Sequence, residues 1–341
     1  MTQKKLKVLW IDDEDKRQQD AEHLCDRELD VEFRYQGIEE ISPHDLVKYD
    51  LLLVDYRLDK VVGPAKPFRG PAIVGLLRSV DDDIPAYLVS GESPSERAKF
   101  SGLTWFEESL SLREIQEPKR MRVRLKNDIS GYKAISKVAR GQNADRAISK
   151  LLGVPKNSQK SLLEAIPASI KAAVVRSDEA PLPSGAPEAS GRLGFARWVR
   201  RVLLVKPGPL LSSLHAATRV GMKVPRFEKT HAFAGARYDG IFAKSHEARW
   251  WASQLDHVVF DKQRRTGIAS GLSWELGREL FDLSGQEQPT CAVCGERYPE
   301  IVARDVDTKK EAAVHQRHSN PDPERDFTPF FAEERVFQEG E

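Results

Sequence analysis

Five short apolar runs, LKVLWI (6–11), VEFRYQ (31–36), DLLLVD (50–55), IPAYLVS (84–90) and LTWFEE (103–108), alternate with helix-like stretches along the first third of the chain. Strand-length runs separated by helical segments leave few packings open, and the regular alternation predicts a doubly wound, parallel, five-stranded α/β domain. Segment 15–28 sets Ala21, Leu24, Cys25 and Leu29 on one helical face, and PAIVGLLRSV (71–80) opens with a proline suited to a first helical turn. In such a sheet the ligand crevice lies beyond the C-terminal ends of the strands.

Those strand ends are chemically distinctive. KVLWIDDED (7–15) runs an apolar strand into Asp12, Asp13, Glu14 and Asp15. Clustered carboxylates repel one another unless a cation or a helix N-terminus answers them. Asp12 and Asp13 close the first strand, Asp55 the third in LLLVDYRLD, and Ser90 the fourth in YLVSGE, so all four face one crevice. Three carboxylates there make a hard-oxygen site suited to Mg²⁺. A carboxylate beside such an ion can attack a phosphoryl group, and the Ser90 hydroxyl can then hydrogen-bond a phosphoryl oxygen.

At these residues the chain resembles the receiver domain of bacterial response regulators, in which an acidic pair ends the first strand, an Asp the third, and a Ser or Thr the fourth. The resemblance covers the first third of the chain. It implies that Asp55 is the phosphoacceptor and Ser90 the switch hydroxyl. It also implies that Asp12, Asp13 and Asp55 bind Mg²⁺ with the Arg57 carbonyl, and that the partner is a histidine kinase or phosphotransfer protein. Two departures stand out. Receivers end their fifth strand with a Lys that pairs with the phosphoryl group, whereas LTWFEESLSL offers Glu107, Glu108 and Ser109, acids that would repel it. The loop at 60–70, KVVGPAKPFRG, is long, and its Lys66 and Arg69 are candidate substitutes.

At 341 residues the chain is too long for one core, so several domains are expected. No run is long enough to cross a bilayer, and MTQKKLKVLW turns acidic where a signal peptide would continue apolar. Three cysteines are too few for a disulfide framework and suit a reducing cytoplasm. The overall charge of +1 conceals an asymmetry: residues 1–117 hold 16 Lys and Arg against 25 Asp and Glu, a net of −9, whereas 118–176 hold 14 against 3, a net of +11. Such a split predicts contact between the two blocks or an anionic partner for the second. The expected organisation is a receiver-like domain at 1–117, a basic helical segment at 118–176, a flexible Pro, Gly and Ser-rich linker at 177–192, a mainly α-helical domain at 193–289, and a zinc-binding module with an acidic tail at 290–341.

The last module rests on Cys291 and Cys294 in CAVCGERYPE and on His315 and His318, one helical turn apart in AAVHQRHSN. Two thiolates and two imidazoles suit tetrahedral Zn²⁺, and a CxxC hairpin followed by an HxxH helix resembles a two-Cys, two-His zinc finger. With four protein ligands the metal is structural. A second motif, ADRAISKLLGVPKNSQKSLLEAI (144–166), resembles a helix-turn-helix, with Lys156, Asn157, Gln159 and Lys160 at the start of its second helix as DNA-binding candidates. Trp198, Phe227, Phe233, Tyr238, Phe242, Trp250 and Trp251 are expected in a core. His231, His246 and His257 occur with Asp239, Asp256 and Asp261, which invites a nuclease or hydrolase reading, but they match no triad or ligand spacing and read first as surface or satisfied core histidines, leaving a C-terminal hydrolase activity open. The chemistry expected is phosphotransfer onto the protein's own Asp. Three outputs stay open: protein interaction through the zinc-clipped domain with an unknown downstream partner, transcriptional DNA binding through 118–176, and a phosphate sink or regulatory component of a bacterial defence system.

Overall fold

A computed structural model describes residues 4–35, 48–58, 68–78, 83–92, 105–139, 141–175, 191–206, 208–269, 271–297, 300–305 and 311–319. The chain forms two compact units, Met1–Leu151 with Ala168–Trp198, and Leu152–Pro167 with Val199–Glu341. No helix among the described residues is long and apolar enough to cross a membrane.

The first unit is built on β1 (Leu6–Asp12), β2 (Leu29–Tyr35), β3 (Leu51–Asp55), β4 (Ala86–Ser90) and β5 (Glu108–Ser111), all parallel, in the spatial order β2-β1-β3-β4-β5. This is the receiver-like doubly wound order, with its switch point between β1 and β3. Val8–Ile11, Leu51–Val54 and Ala86–Val89 are at most 1% exposed, as unbroken apolar runs must be when helices cover both faces. Helices α1 (Arg17–Leu24) and α2 (Gly70–Arg78) follow the first and third strands, and Ile73, Val74 and Leu77 of α2 pack with Leu52, Val54, Leu88 and Phe106. The expected helix at 15–28 stops at Leu24 because Leu29 opens β2.

The fifth strand begins later than the run LTWFEE suggested. Phe106 is buried in the core and the Arg78 guanidinium donates to the Trp105 carbonyl, so this part of the run packs as an approach to the sheet. Pairing starts with Glu108 opposite Tyr87 and ends with Ser111 opposite Ser90. The polar sequence ESLS is tolerated because β5 is an edge strand that buries only Leu110.

The boundary expected at residue 117 falls inside this unit. Helix α3 (Pro118–Ser136) starts on a proline and buries Met121, Leu125, Ile129, Tyr132 and Ile135 along one face. Its basic residues meet the acids of the first block: Arg124 pairs with Glu114 at 2.9 Å and Glu108 at 3.3 Å, Lys126 with Asp26 at 2.7 Å and Glu28 at 2.6 Å, and Lys133 with Asp50 at 2.8 Å. Of the linker expected at 177–192, residues 177–190 lie outside the described residues, and Gly191 and Arg192 already begin a helix, Gly191–Trp198. That helix joins the first unit, with Arg192 on Asp83 at 3.2 Å and Arg197 on Glu107 at 2.7 Å.

The second unit is mainly helical. Helices Ser213–Arg219, Val224–Lys229, Ala252–Thr266 and Ser273–Leu280 enclose a core that includes Val220, Met222, Phe227, Phe233, Trp250, Leu255 and Leu276. The seven aromatic residues expected in a core are all buried. In an antiparallel pair, β6 (Ile301–Asp305) with β7 (Glu311–His315), the metal-ligand candidate His315 is the last strand residue, while Cys291 and Cys294 precede β6 and His318 follows β7. The acidic tail from 320 lies outside the described residues.

Glu107 is the centre of a buried charge cluster in the first unit. It is fully buried, takes two hydrogen bonds from buried Arg78 at 2.7 and 2.8 Å, two from Arg197 at 2.7 and 3.0 Å, and one from the Ala86 N–H at 2.6 Å. Removing one partner of a buried pair strands the other charge, so Glu107→Ala should lower stability by about 3–5 kcal/mol in urea unfolding. A loss below about 1 kcal/mol would show that the cluster contributes little.

Candidate functional site

The last residues of three adjacent strands end in the same way. Asp12 Oδ1 accepts the Glu14 N–H at 2.9 Å, Asp55 Oδ2 accepts the Arg57 N–H at 2.8 Å, and Ser90 Oγ accepts the Glu92 N–H at 3.1 Å. A short side chain that bonds the backbone two residues on turns the chain out of its strand. Each strand therefore stops where its polar group meets the crevice. Asp12, Asp13, Asp55 and Ser90 line one cavity of about 370 Å³ together with Arg17, Arg57 and Leu112. Gly70 supports it from behind: a Cβ there would stand 2.3 Å from the Asp55 carbonyl oxygen, so only glycine lets α2 start this close to β3.

The carboxylates are held under electrostatic stress. Burial, then repulsion from Asp12 and Asp13, pushes Asp55 up to about 7 despite the Arg57 and Tyr56 N–H groups. Burial also raises Asp12 to about 6, against the Glu14 N–H and the positive charge of Arg17. The cavity therefore holds more negative charge than its own cations neutralise, with hard oxygen donors. That fits Mg²⁺, with Asp12, Asp13 and Asp55 as the side chains that would hold it.

The residue at the end of the fifth strand differs from the one the sequence suggested. Glu107 and Glu108 lie toward the other end of β5, Glu107 bound up with Arg78 and Arg197 and Glu108 with Arg124, so the expected repulsion near Asp55 does not arise. Ser111 stands opposite Ser90, and Leu112 follows it into the cavity wall. Among the described residues, no lysine lines the cavity. Lys66 lies outside the described residues, and Arg69 belongs to a short strand, Phe68–Arg69, paired with Arg57–Leu58. Gly70, Ser111, Leu112 and Arg17 were missed by sequence reasoning. Only Arg17, two residues past the acidic run, left a signal there.

In the second unit Cys291, Cys294, His315 and His318 converge, their ligand atoms all within 4.8 Å of one another. Cys291 Sγ is 3.3 Å from His318 Nδ1, and Cys294 Sγ is 3.3 Å from His315 Nδ1. Those spacings suit a tetrahedron with Zn–S of about 2.3 Å and Zn–N of about 2.0 Å, whose edges are roughly 3.5 Å. The supporting scaffold is not the helix expected: His315 ends β7 and His318 sits in a single 3₁₀ turn, Gln316–His318. The CxxC turn closes through the Gly295 N–H to the Cys291 carbonyl at 2.8 Å, with Gly295 at φ +75°. Burial raises the Cys291 thiol, but hydrogen bonds from His318 and from backbone N–H groups outweigh it and bring it to about 6, toward the thiolate that zinc needs.

The other sequence candidates lie in the second unit. Lys156 and Asn157 lie in a 3₁₀ turn, and Gln159 and Lys160 begin helix Gln159–Ala165, whereas the first helix of the proposed pair, Ala144–Leu152, runs up to the end of the other unit's first segment. His231 and His257 are exposed, Asp256 is taken by Arg219 and Ser273, and Asp261 by Arg264 and Arg265.

No protein-family model and no curated protein matches the sequence. Among solved structures, a CheY-like response regulator receiver domain protein from Methanospirillum hungatei is 15% identical, over 38% of this chain and 98% of its own, with a TM-score of 0.29. Chemotaxis response regulator CheY4 of Vibrio cholerae is 20% identical over 35% of this chain and 99% of its own, with a TM-score of 0.28. NtrX from Brucella abortus, in complex with ATP, is 16% identical over 57% and 40%, with a TM-score of 0.29. At these scores the fold assignment rests on strand order and register.

Two outcomes follow. Asp12 and Asp55 have values raised above those of an unfolded chain, so their protonated forms stabilise the fold at low pH and that contribution is lost as pH rises through 6 to 7. In Mg²⁺-free buffer the first unit should lose on the order of a few kcal/mol between pH 4 and 8, and Asp55→Asn should recover much of it at pH 8. A melting temperature that is flat across this window, in wild type and variant alike, would exclude the stress. For the cysteine and histidine cluster, elemental analysis should find about one zinc per chain. Cys291→Ser or His318→Ala should lower both zinc content and the melting temperature of the second unit. Zinc-free protein indifferent to chelator would make the cluster a coincidence.

Proposed function

We propose that this chain is a signal-transduction regulator whose first unit accepts a phosphoryl group on Asp55 and whose second unit is a zinc-clipped protein-interaction module. The observation that carries the reading is the convergence of Asp12, Asp13, Asp55 and Ser90, from three strand ends, on one cavity at the switch edge of the sheet. Asp55 Oδ2 is fixed by the Arg57 N–H, which orients the carboxylate so that its other oxygen can attack phosphorus. The donor is a phosphorylated imidazole of a histidine kinase or phosphotransfer protein: the O–P bond forms as the P–N bond breaks, and the imidazole leaves with a proton. Ser90, buried beside the site, donates its hydroxyl hydrogen to a phosphoryl oxygen. Bound Mg²⁺ supplies charge neutralisation for the transferring group.

For the second unit the closed four-ligand set favours a structural zinc, and the reading assigns it no chemistry beyond the phosphotransfer onto Asp55. The DNA-binding alternative loses support because Arg124, Lys126 and Lys133 are engaged by acids of the same unit. A cytoplasmic location accompanies the reading, since a chain with three cysteines, two of them in the proposed zinc set, suits a reducing compartment. Incubating the full chain with acetyl phosphate and Mg²⁺ should give a base-labile acyl phosphate that Asp55→Asn abolishes. Labelling that survives the substitution refutes the assignment.

A further inference from the structure

We infer that Arg17 is the cation that receives the phosphoryl group in this site, in place of a lysine on the fifth strand. The inference rests on the phosphoacceptor reading above and assigns a residue of the same cavity. At the fifth-strand edge the chain offers Ser111 and then Leu112, whose Cδ1 lies 3.2 Å from where a Cβ on Gly91 would stand. An alkyl side chain in that wall donates nothing to an anion. A phosphoryl group on Asp55 carries a charge near −2 and needs a cation from another direction.

Among the described residues, Arg17 and Arg57 are the cationic side chains lining the cavity. They differ in how they are held. The Arg57 side chain is 64% exposed, and its pairing with Glu92 is 4.0 Å long, so water screens it. Arg17 is 12% exposed at the first residue of α1, with Nη2 on Glu14 at 2.7 Å and Nη1 on Asp20 at 3.4 Å. Both partners lie three residues away along the chain, so the local backbone holds the guanidinium against the cavity. Its charge already acts on Asp12.

A guanidinium has five N–H donors in one plane, enough to hold a carboxylate and a phosphoryl oxygen together, and its fork suits phosphate better than an ammonium does. Glu14 also has Lys16 at 2.9 Å, so it keeps a counter-ion when Arg17 turns to the phosphoryl group. Phosphorylation is therefore read on the β1–α1 side of the sheet.

Beryllofluoride, a phosphoryl mimic, titrated into the full chain with saturating Mg²⁺ tests this. Arg17→Ala should weaken beryllofluoride binding roughly 10- to 100-fold, and Arg17→Lys should fall between the two. Arg57→Ala should stay within about twofold of wild type. Mg²⁺ binding in Arg17→Ala should be unchanged or tighter, because a positive charge has left the neighbourhood of Asp12. That opposite movement is one a merely misfolded variant does not show. Undiminished beryllofluoride binding in Arg17→Ala, loss of Mg²⁺ and beryllofluoride together, or a loss confined to Arg57→Ala overturns the inference. Wild-type protein that binds no beryllofluoride sinks the phosphoacceptor reading and this inference with it, and the wild-type titration alone reveals that case.

Discussion

Carboxylates gathered at the ends of adjacent buried strands are the constraint around which the first unit is arranged. Asp12 and Asp13 are 3% and 6% exposed, so water relieves little of their mutual repulsion with Asp55. A parallel sheet brings them together unavoidably, because every strand ends on the same edge. The protein meets the stress locally with backbone N–H groups on Asp12 and Asp55 and with Arg17 at the rim, and leaves the remainder for a cation. The glycine that lets α2 approach Asp55 belongs to the same arrangement, since any side chain there would push the helix off the strand.

Charge also organises the rest of the unit, in a weaker way. Helix α3 carries part of the basic excess of the second block and returns it to acids of the first. Exposed pairs of this kind contribute at most about 1 kcal/mol each. Burying Met121, Leu125, Ile129 and Ile135 contributes roughly 1.5–3 kcal/mol apiece, so packing holds the helix and the ion pairs orient it. Asp128 is the exception. It is fully buried and accepts a hydrogen bond from the Tyr87 hydroxyl at 2.8 Å, tying the helix to the sheet.

Glu107 shows how tertiary packing reassigns a side chain. In linear sequence it stands where a phosphate-binding cation was sought, and it reads as a hostile charge. In the fold it lies before the strand, where Arg78 from α2 and Arg197 from the helix Gly191–Trp198 converge on it. Those partners are 29 and 90 residues away. No local pattern announces such a meeting.

Legible in the sequence alone are the alternation that yields a parallel sheet, the acids and hydroxyl at three of its ends, and the two cysteines and two histidines that converge in the second unit. These are legible because apolar periodicity and residue chemistry are local properties. Tertiary structure alone decided where β5 starts, because an edge strand of polar residues is specified by its neighbour's register and not by its own hydrophobicity. It also decided that His315 ends a strand rather than starting a helical turn, since pairing with Ile301 across the hairpin outweighs the helical spacing of HxxH. The extent of the first unit, which gathers helices from beyond residue 117, was settled the same way, by contacts between residues far apart in the chain.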